Sequence, residues 1–147
     1  NACHTMQKID PAMAGKLIDA GHPINGSYEL VKYSQGQVRH RFYPPNITKN
    51  QKMNKAELSR MFLTGHAAGL VYATKVLKSA DNAKYKAAME QRVADAKKAI
   101  GAAKGSVPAA GALLSSPTES NARKFVAGLQ GKDLSGAVGG MLPSKYK

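Results

Sequence analysis

The chain has 147 residues, of which 43% are apolar, and its formal net charge is +13. This length and composition predict one globular domain over residues 1–147, and no run of the sequence approaches the ~18 apolar residues of a membrane span. A single cysteine excludes an internal disulfide framework. The positive charge favours an anionic partner, namely nucleic acid, an anionic membrane surface or an acidic protein.

The first third of the chain divides into two predicted regions. Residues 1–26 are predicted to be irregular, because prolines and glycines recur through them. Residues 27–43, SYELVKYSQGQVRHRFY, are predicted to form a β-hairpin, since β-branched and aromatic residues alternate on both sides of a Ser-Gln-Gly-Gln turn. Pro44 and Pro45 end the second arm of this hairpin.

A long helix is predicted from Asn54 onwards. Asn54 and Glu57 have the spacing of a capping box, and apolar residues then recur every three to four positions as far as Val76. Gly65 and Gly69 each cost this helix about 1 kcal/mol relative to alanine. The absence of a side chain at these two positions would allow a flat or bulky group to approach the helix closely.

The remainder of the chain adds further predicted helices. A second long helix is expected over residues 82–104, followed by a connector over residues 106–115. The segment SPTESNARKFVAGLQG predicts a third helix that is capped by Ser116 and stopped by Gly131. A last short helix is expected over residues 133–138, so the predicted fold is mostly α with one hairpin.

The cysteine directly precedes a histidine, as Cys3-His4. In a C-x-x-C-H motif the cysteines attach haem through thioethers and the histidine binds the iron. One tight turn then places sulfur at the porphyrin edge and imidazole beneath the metal. Asn1 to His4 corresponds to the x-x-C-H part of this motif, so we expect either that the natural chain begins further upstream or that attachment uses a single thioether.

A second block of sequence also favours haem attachment. The stretch FYPPNITKNQKMNKAELSRMFLTG resembles a block in class I c-type cytochromes, among them the cytochrome subunits of membrane-bound alcohol dehydrogenases. In that group a haem motif reading CHT precedes a glycine-rich loop, then Y-x-x-N-I-T, then a helix ending R-x-x-x-x-G. The resemblance covers residues 1–65, and the matching residues are Cys3-His4-Thr5, Gly15, Gly21, Tyr43, Asn46-Ile47-Thr48, Arg60 and Gly65.

The resemblance implies a fold and a set of binding residues. Residues 1–79 would be a cytochrome c-like haem domain with the hairpin inserted, and residues 80–147 a helical extension of it. Cys3 would tether one haem c and His4 would be the proximal iron ligand, while Pro45 and Asn46 would line the haem edge.

The sixth iron ligand stays open at this point. The family's M-P-x-Y segment should fall about a dozen residues past Gly65, where this chain reads LVYATKVLKS. The candidate ligands elsewhere in the chain are His66, Met53 and Met141.

The function implied by the resemblance is electron transfer, without catalysis of bond chemistry. The expected partner is an acidic redox protein or a set of neighbouring cytochrome subunits, attracted by the lysines and Arg92 along residues 75–104, which are expected on a solvated helix face. Haem attachment of this kind implies a periplasmic or extracellular location, or alternatively the mitochondrial intermembrane space.

Two other functions fit the composition. A basic, non-enzymatic module of a virion or assembly protein would use the same positive charge to bind nucleic acid. A metal-free ribonuclease would use His40 as acid or base, with Arg39 and Arg41 on the phosphate.

Overall fold

The computed structural model describes residues 9–35, 47–49 and 51–146. These residues form helices and turns, and no strand occurs among them. The helices, numbered in chain order, are α1 Pro11–Asp19, α2 Leu30–Ser34, α3 Lys55–Val76, α4 Ala83–Ala102, α5 Ala109–Ser115, α6 Glu119–Ala127 and α7 Ser135–Val138, with a 3₁₀ turn at Gly139–Met141. The predicted mostly α fold is therefore confirmed.

Helices α3 and α4 form the centre of the fold and confirm the two long helices expected from the sequence. Asn54 caps α3 in a reciprocal capping box, in which its side chain accepts from the Glu57 N–H at 2.9 Å and its own N–H donates to the Glu57 carboxylate at 2.8 Å. Asn82 caps α4 by accepting from the Tyr85 N–H at 3.0 Å. The end of α3 shares a cluster of buried residues with the start of α4, which shows that the two helices run antiparallel.

Two groups of buried side chains hold the helices together. The larger one, hereafter the main core, lies between α3, α4 and the C-terminal helices α5 to α7, and its largest fully buried members are Leu63, Leu70, Ile100, Leu113, Phe125 and Leu129. The smaller cluster packs α1 against the turn between α3 and α4 through Ala14, Ile18, Ala73, Val76, Tyr85, Ala88 and Met89. The main core contains residues from both sides of residue 79, where the predicted haem domain ends and the predicted helical extension begins. The division of the chain at that residue stays a prediction.

Helix α1 corrects the expectation of an irregular N-terminal region. The Asp10 side chain accepts from the Ala12 and Met13 N–H groups at 3.1 Å, and Pro11 occupies the first turn, where its missing N–H costs nothing. Ala14 and Ile18, four residues apart, share one buried face. The capping signal outweighs the glycines and prolines around it.

The predicted β-hairpin is wrong over its first arm. Leu30–Ser34 is helical, because the Glu29 carboxylate accepts from the Val31 and Lys32 N–H groups at 2.8 and 2.9 Å. This cap satisfies two of the N–H groups that a strand would have had to pair across a sheet. The second arm, from residue 36 to residue 43, lies outside the described residues.

The C-terminal third corrects two further predictions. The connector expected over residues 106–115 contains α5, which buries Ala110 and Leu113. Helix α6 begins at Glu119 with Thr118 rather than Ser116 as its N-cap, because the Thr118 hydroxyl accepts from the Asn121 backbone N–H at 3.2 Å. The last short helix is confirmed at α7.

Serine 59 joins the C-terminal segment to α3. Its buried hydroxyl accepts from the Leu134 N–H at 3.2 Å and donates to the Ala56 carbonyl at 2.8 Å. Arg60 adds a hydrogen bond of 2.7 Å to the Lys132 carbonyl. These bonds hold the segment just before α7 against α3, and they thereby position α7 and the following 3₁₀ turn.

Within the described ranges, none of the helices has both the length and the apolar character needed to cross a bilayer.

Candidate functional site

A cavity of about 320 Å³ opens between α2, α3, α4 and the 3₁₀ turn. Its volume lies at the lower end of the range of small-molecule sites. Apolar groups and charged groups both line it, and the lining residues that matter below are Tyr28, Glu29, Leu30, Phe62, Gly65, His66, Gly69, Arg92, Asp95, Lys98 and Met141. The cavity is therefore suited to a ligand that has both an apolar and a polar part.

The cavity brings together two of the three candidate sixth ligands. His66 of α3 and Met141 of the 3₁₀ turn both line it, although 75 positions separate them in the sequence. Met53, just before α3, is half-buried and does not belong to the lining. Cys3, His4, Pro45 and Asn46 lie outside the described residues, as does His40.

His66 faces the cavity as a neutral imidazole. Its ring packs edge-on against Phe62, with 4.4 Å between the centroids and 71° between the planes. Burial lowers the pKa of His66 below its ordinary value of 6.5, and the nearby charge of Asp95 opposes this effect only in part. The ring is therefore uncharged at pH 7, which is the form that binds metals and accepts hydrogen bonds.

Arg92 is the charged group that the sequence analysis placed wrongly. It was expected on a solvated helix face, but only 5% of it is exposed. Its Nη2 donates to the Asn25 carbonyl, and burial lowers its pKa to about 10, so the guanidinium remains protonated at pH 7. The signal was present in the sequence, because Tyr85, Met89 and Arg92 follow one another at helical spacing along the buried face of α4.

The loop before α2 holds the Arg92 side of the cavity in place. Asn25 donates through Nδ2 to the Tyr33 hydroxyl at 3.0 Å, and Tyr33 stacks on Tyr28 with 4.7 Å between ring centroids. Tyr28 lines the cavity. The carbonyl that receives Arg92 thus belongs to a loop braced by two aromatic rings.

The two carboxylates of the cavity are engaged within their own helices. Glu29 uses both oxygens to cap α2, and Asp95 accepts from the Gln91 side chain at 2.9 Å. Burial raises the pKa of Glu29 above its ordinary value of 4.5. The lining therefore carries two carboxylates that cap or brace their own helices, alongside the two cationic side chains Arg92 and Lys98.

The two glycines of α3 have different surroundings. A Cβ at Gly65 would lie 3.1 Å from the Leu30 Cβ, so this glycine allows α2 to pack closely on α3. A Cβ at Gly69 would meet no described atom within 4 Å, although Gly69 lines the cavity. A close approach was expected at both glycines. At Gly65 the approaching group is α2, whereas Gly69 faces open space.

Comparisons of the chain with protein families, with curated proteins and with solved structures found no match. Among the described residues, no group of three or more His, Cys, Asp and Glu side chains is placed to hold a metal ion.

Proposed function

We propose that the protein carries electrons through one covalently attached c-type haem, and that His66 is the sixth ligand of the iron. The observation that carries this proposal is the position of His66, a neutral imidazole at the wall of a partly apolar cavity that also contains Met141. The protein would then be an electron carrier that does not catalyse bond chemistry.

Three features of the lining support this proposal. Haem iron takes its four equatorial ligands from the macrocycle, so the protein has to supply only axial groups, such as histidine or methionine. Phe62, Leu30 and the uncovered backbone at Gly69 offer an apolar surface, and Arg92 and Lys98 offer positive charge. A volume of about 320 Å³ encloses only part of a macrocycle, which suits a carrier whose haem edge stays accessible to partners.

The roles of the remaining site residues follow from the resemblance to c-type cytochromes. Cys3 would tether the haem, His4 would be the proximal ligand, and Pro45 with Asn46 would line the haem edge. Haem supplies an iron that alternates between the ferrous and ferric states, and the protein supplies its orientation and a shell of low polarity. His66 is preferred to Met53 because Met53 does not reach the cavity.

The fold would then be a cytochrome c-like part within residues 1–79 and a helical extension over residues 80–147. The extension contributes Arg92, Lys98 and Met141 to the cavity. Under this proposal it is therefore part of the haem environment as well as a packing partner of α3.

The partner and the location are part of the same proposal. Exposed lysines on and just after α4, namely Lys84, Lys86, Lys97, Lys98 and Lys104, would attract an acidic redox protein or neighbouring cytochrome subunits. Covalent haem attachment would imply a location in the periplasm or outside the cell, or alternatively in the mitochondrial intermembrane space.

The experiment is to produce the full chain together with a cytochrome c maturation system and to record its visible spectrum. We expect a Soret band that survives extraction with acidic acetone, and a mass that exceeds the polypeptide by one haem. Cys3→Ser should release the haem on extraction, and His66→Ala should shift the spectrum of the reduced protein, whereas His22→Ala, an exposed histidine, should not.

A colourless protein with the mass of the bare polypeptide would overturn the proposal. A pigmented protein whose spectrum is unchanged in His66→Ala but changed in Met141→Ala would reject His66 as the ligand and keep the haem.

Nucleic-acid binding is the second candidate function, and the same exposed lysines favour it. None of Lys84, Lys86, Lys97, Lys98 and Lys104 is paired with a carboxylate among the described residues. The affinity for duplex DNA should then fall steeply as the salt concentration rises. The slope of log affinity against log salt concentration should become shallower by about one for each phosphate-contacting lysine that is replaced by glutamine. An affinity that does not respond to salt excludes this function. The ribonuclease depends on His40 and stays a prediction.

A further inference from the structure

Positive charge lies in two rows along the exposed face of α4, hereafter its outer face. The rows consist of Lys84 and Lys98 on one side and Lys86 and Lys97 on the other, and all four lysines are exposed. Within the described part of the chain, no hydrogen bond or ion pair engages these four side chains. The exposed Glu90 is the carboxylate that lies among them. The outer face therefore attracts a ligand that carries negative charge.

The carboxylates of the chain are used largely by its own helices. Asp10 caps α1, Glu29 caps α2 and Glu57 belongs to the capping box of α3. Asp19 accepts from the Asn82 side chain at 2.7 Å. Acidic side chains thus serve to start and join helices, which leaves the charge of the outer face to a partner.

Between the two rows of lysines the outer face is made of small residues. Ala87, Ala94 and Gly101 are exposed and follow one another at intervals of seven residues, so they lie almost in line along the helix. The opposite face of α4 is packed in the interior through Tyr85 and Ile100. A column of small residues leaves room for the larger side chains of a second helix to pack closely.

Helix propensity explains only part of this column. Alanine is the best helix former, so the exposed alanines need no further reason, but glycine is less favourable than every residue except proline. No described atom outside its own stretch of helix lies within 4 Å of the Cβ position of Gly101. Neither the stability of α4 nor the packing of the described residues accounts for the missing side chain at residue 101.

We propose that the outer face of α4 binds an acidic amphipathic helix of a partner protein. Large apolar side chains of that helix pack over Ala87, Ala94 and Gly101, and its glutamates or aspartates pair with the flanking lysines. The proposal rests on the function proposed above for its acidic partner and adds the surface and the kind of segment that meet. Lys98 also lines the cavity, so the bound helix would lie beside it.

Two fluorescently labelled peptides test the proposal. One has three heptads with leucine at the two seam positions and glutamate at both flanking positions, where the glutamates prevent it from pairing with itself. The other contains the same residues in an order without a heptad repeat. In fluorescence anisotropy at low ionic strength, we expect one heptad peptide to bind per full chain, about tenfold or more tightly than the scrambled peptide. Circular dichroism should show that the heptad peptide becomes helical on binding.

A substitution in the column separates packing from charge. Ala94→Lys adds a positive charge, which would tighten the binding of any polyanion, but it also fills the column. We expect it to weaken the heptad peptide about fivefold or more. The control is Ala127→Lys, which adds the same charge at an exposed alanine of α6 and should not weaken binding.

Substitutions in the two rows test the role of charge. The double variant Lys84→Gln with Lys97→Gln removes one exposed lysine from each row and should weaken the heptad peptide about two- to fivefold per lysine. Lys124→Gln with Lys145→Gln removes two exposed lysines elsewhere and should have a smaller effect.

Equal affinity for the two peptides, or tighter binding of the heptad peptide by Ala94→Lys, would overturn the proposal. If a short DNA duplex displaces the heptad peptide and also binds more tightly to Ala94→Lys, the lysines form a nucleic-acid interface and the proposal fails. A colourless chain that binds the peptides in the expected pattern would contradict the haem proposal alone. A haem protein that does not distinguish the two peptides would contradict this inference alone.

Discussion

The main core and the cavity use the same two helices in opposite ways. In the main core α3 and α4 present Leu63, Leu70 and Ile100, which are fully buried among the apolar side chains of α5 to α7. Toward the cavity the same helices present His66, Arg92 and open space at Gly69. The first region stabilises the fold by close packing, whereas the second leaves packing incomplete and places polar groups at its wall. Mutations should therefore act differently in the two regions.

The largest difference is expected between two phenylalanines. Phe125→Ala would leave a hole in the fully buried main core and should lower the free energy of unfolding by about 3–5 kcal/mol. Phe62→Ala should cost less, because Phe62 already borders open space. Urea denaturation of both variants measures the difference, and equal losses would show that the cavity wall is packed as tightly as the core.

The next largest effect is expected at Ser59. Ser59→Ala would leave the buried Leu134 N–H without its acceptor, which should cost about 1–3 kcal/mol in urea denaturation. Thr64→Ala is the control, because the Thr64 hydroxyl donates back to the Arg60 carbonyl of its own helix. A loss at Ser59 no greater than that at Thr64 would contradict the role of Ser59 in joining α7 to α3.

The two glycines of α3 should respond with a smaller effect. In the haem-free chain, Gly69→Ala should raise the free energy of unfolding by about 0.5–1 kcal/mol, since the new methyl group meets no described atom within 4 Å and alanine favours the helix. Gly65→Ala should gain less or lose stability, because Leu30 has to move from 3.1 Å. Thermal unfolding of the two variants side by side gives the order, and a larger gain at Gly65 would contradict the surroundings described for these glycines.

The smallest expected effect is a dependence of the free energy of unfolding on pH, which arises from His66 at the cavity. Because burial lowers the pKa of His66 below 6.5, the unfolded chain binds a proton at higher pH than the folded chain does. The free energy of unfolding should therefore fall as the pH falls from 6.5 through the lowered pKa. His66→Gln should reduce this fall in urea denaturation of the haem-free chain, measured between about pH 5 and pH 8. The exposed His22→Gln serves as control, and an equal reduction there would refute the assignment to His66.

Local signals in the sequence predicted the long helices well. The capping box of Asn54 and Glu57 and the cap of Asn82 act over three residues, so a linear reading finds them. The Asp10 and Glu29 caps are equally local, but the surrounding turn residues and the alternation of residues 27–43 suggested other structures. Competing local signals were the main cause of the wrong elements.

The candidate site was predicted only in part. His66 and Met141 were named among the candidate iron ligands from their residue type. The sequence offered no means of seeing that they line one cavity, because that depends on the path of the chain over 75 positions. Arg92 was missed because a charged residue in a lysine-rich helix is usually solvated, and its burial depends on the loop that supplies the Asn25 carbonyl.

By itself the sequence determined the helical character of the chain, the ends of its two long helices and its strong positive charge, since these depend on neighbouring residues and on composition. The tertiary structure alone decided which faces of α3 and α4 are packed and which surround open space, because that depends on how distant segments meet. It also decided that a buried guanidinium, a neutral imidazole and a bare stretch of helix backbone line the same cavity.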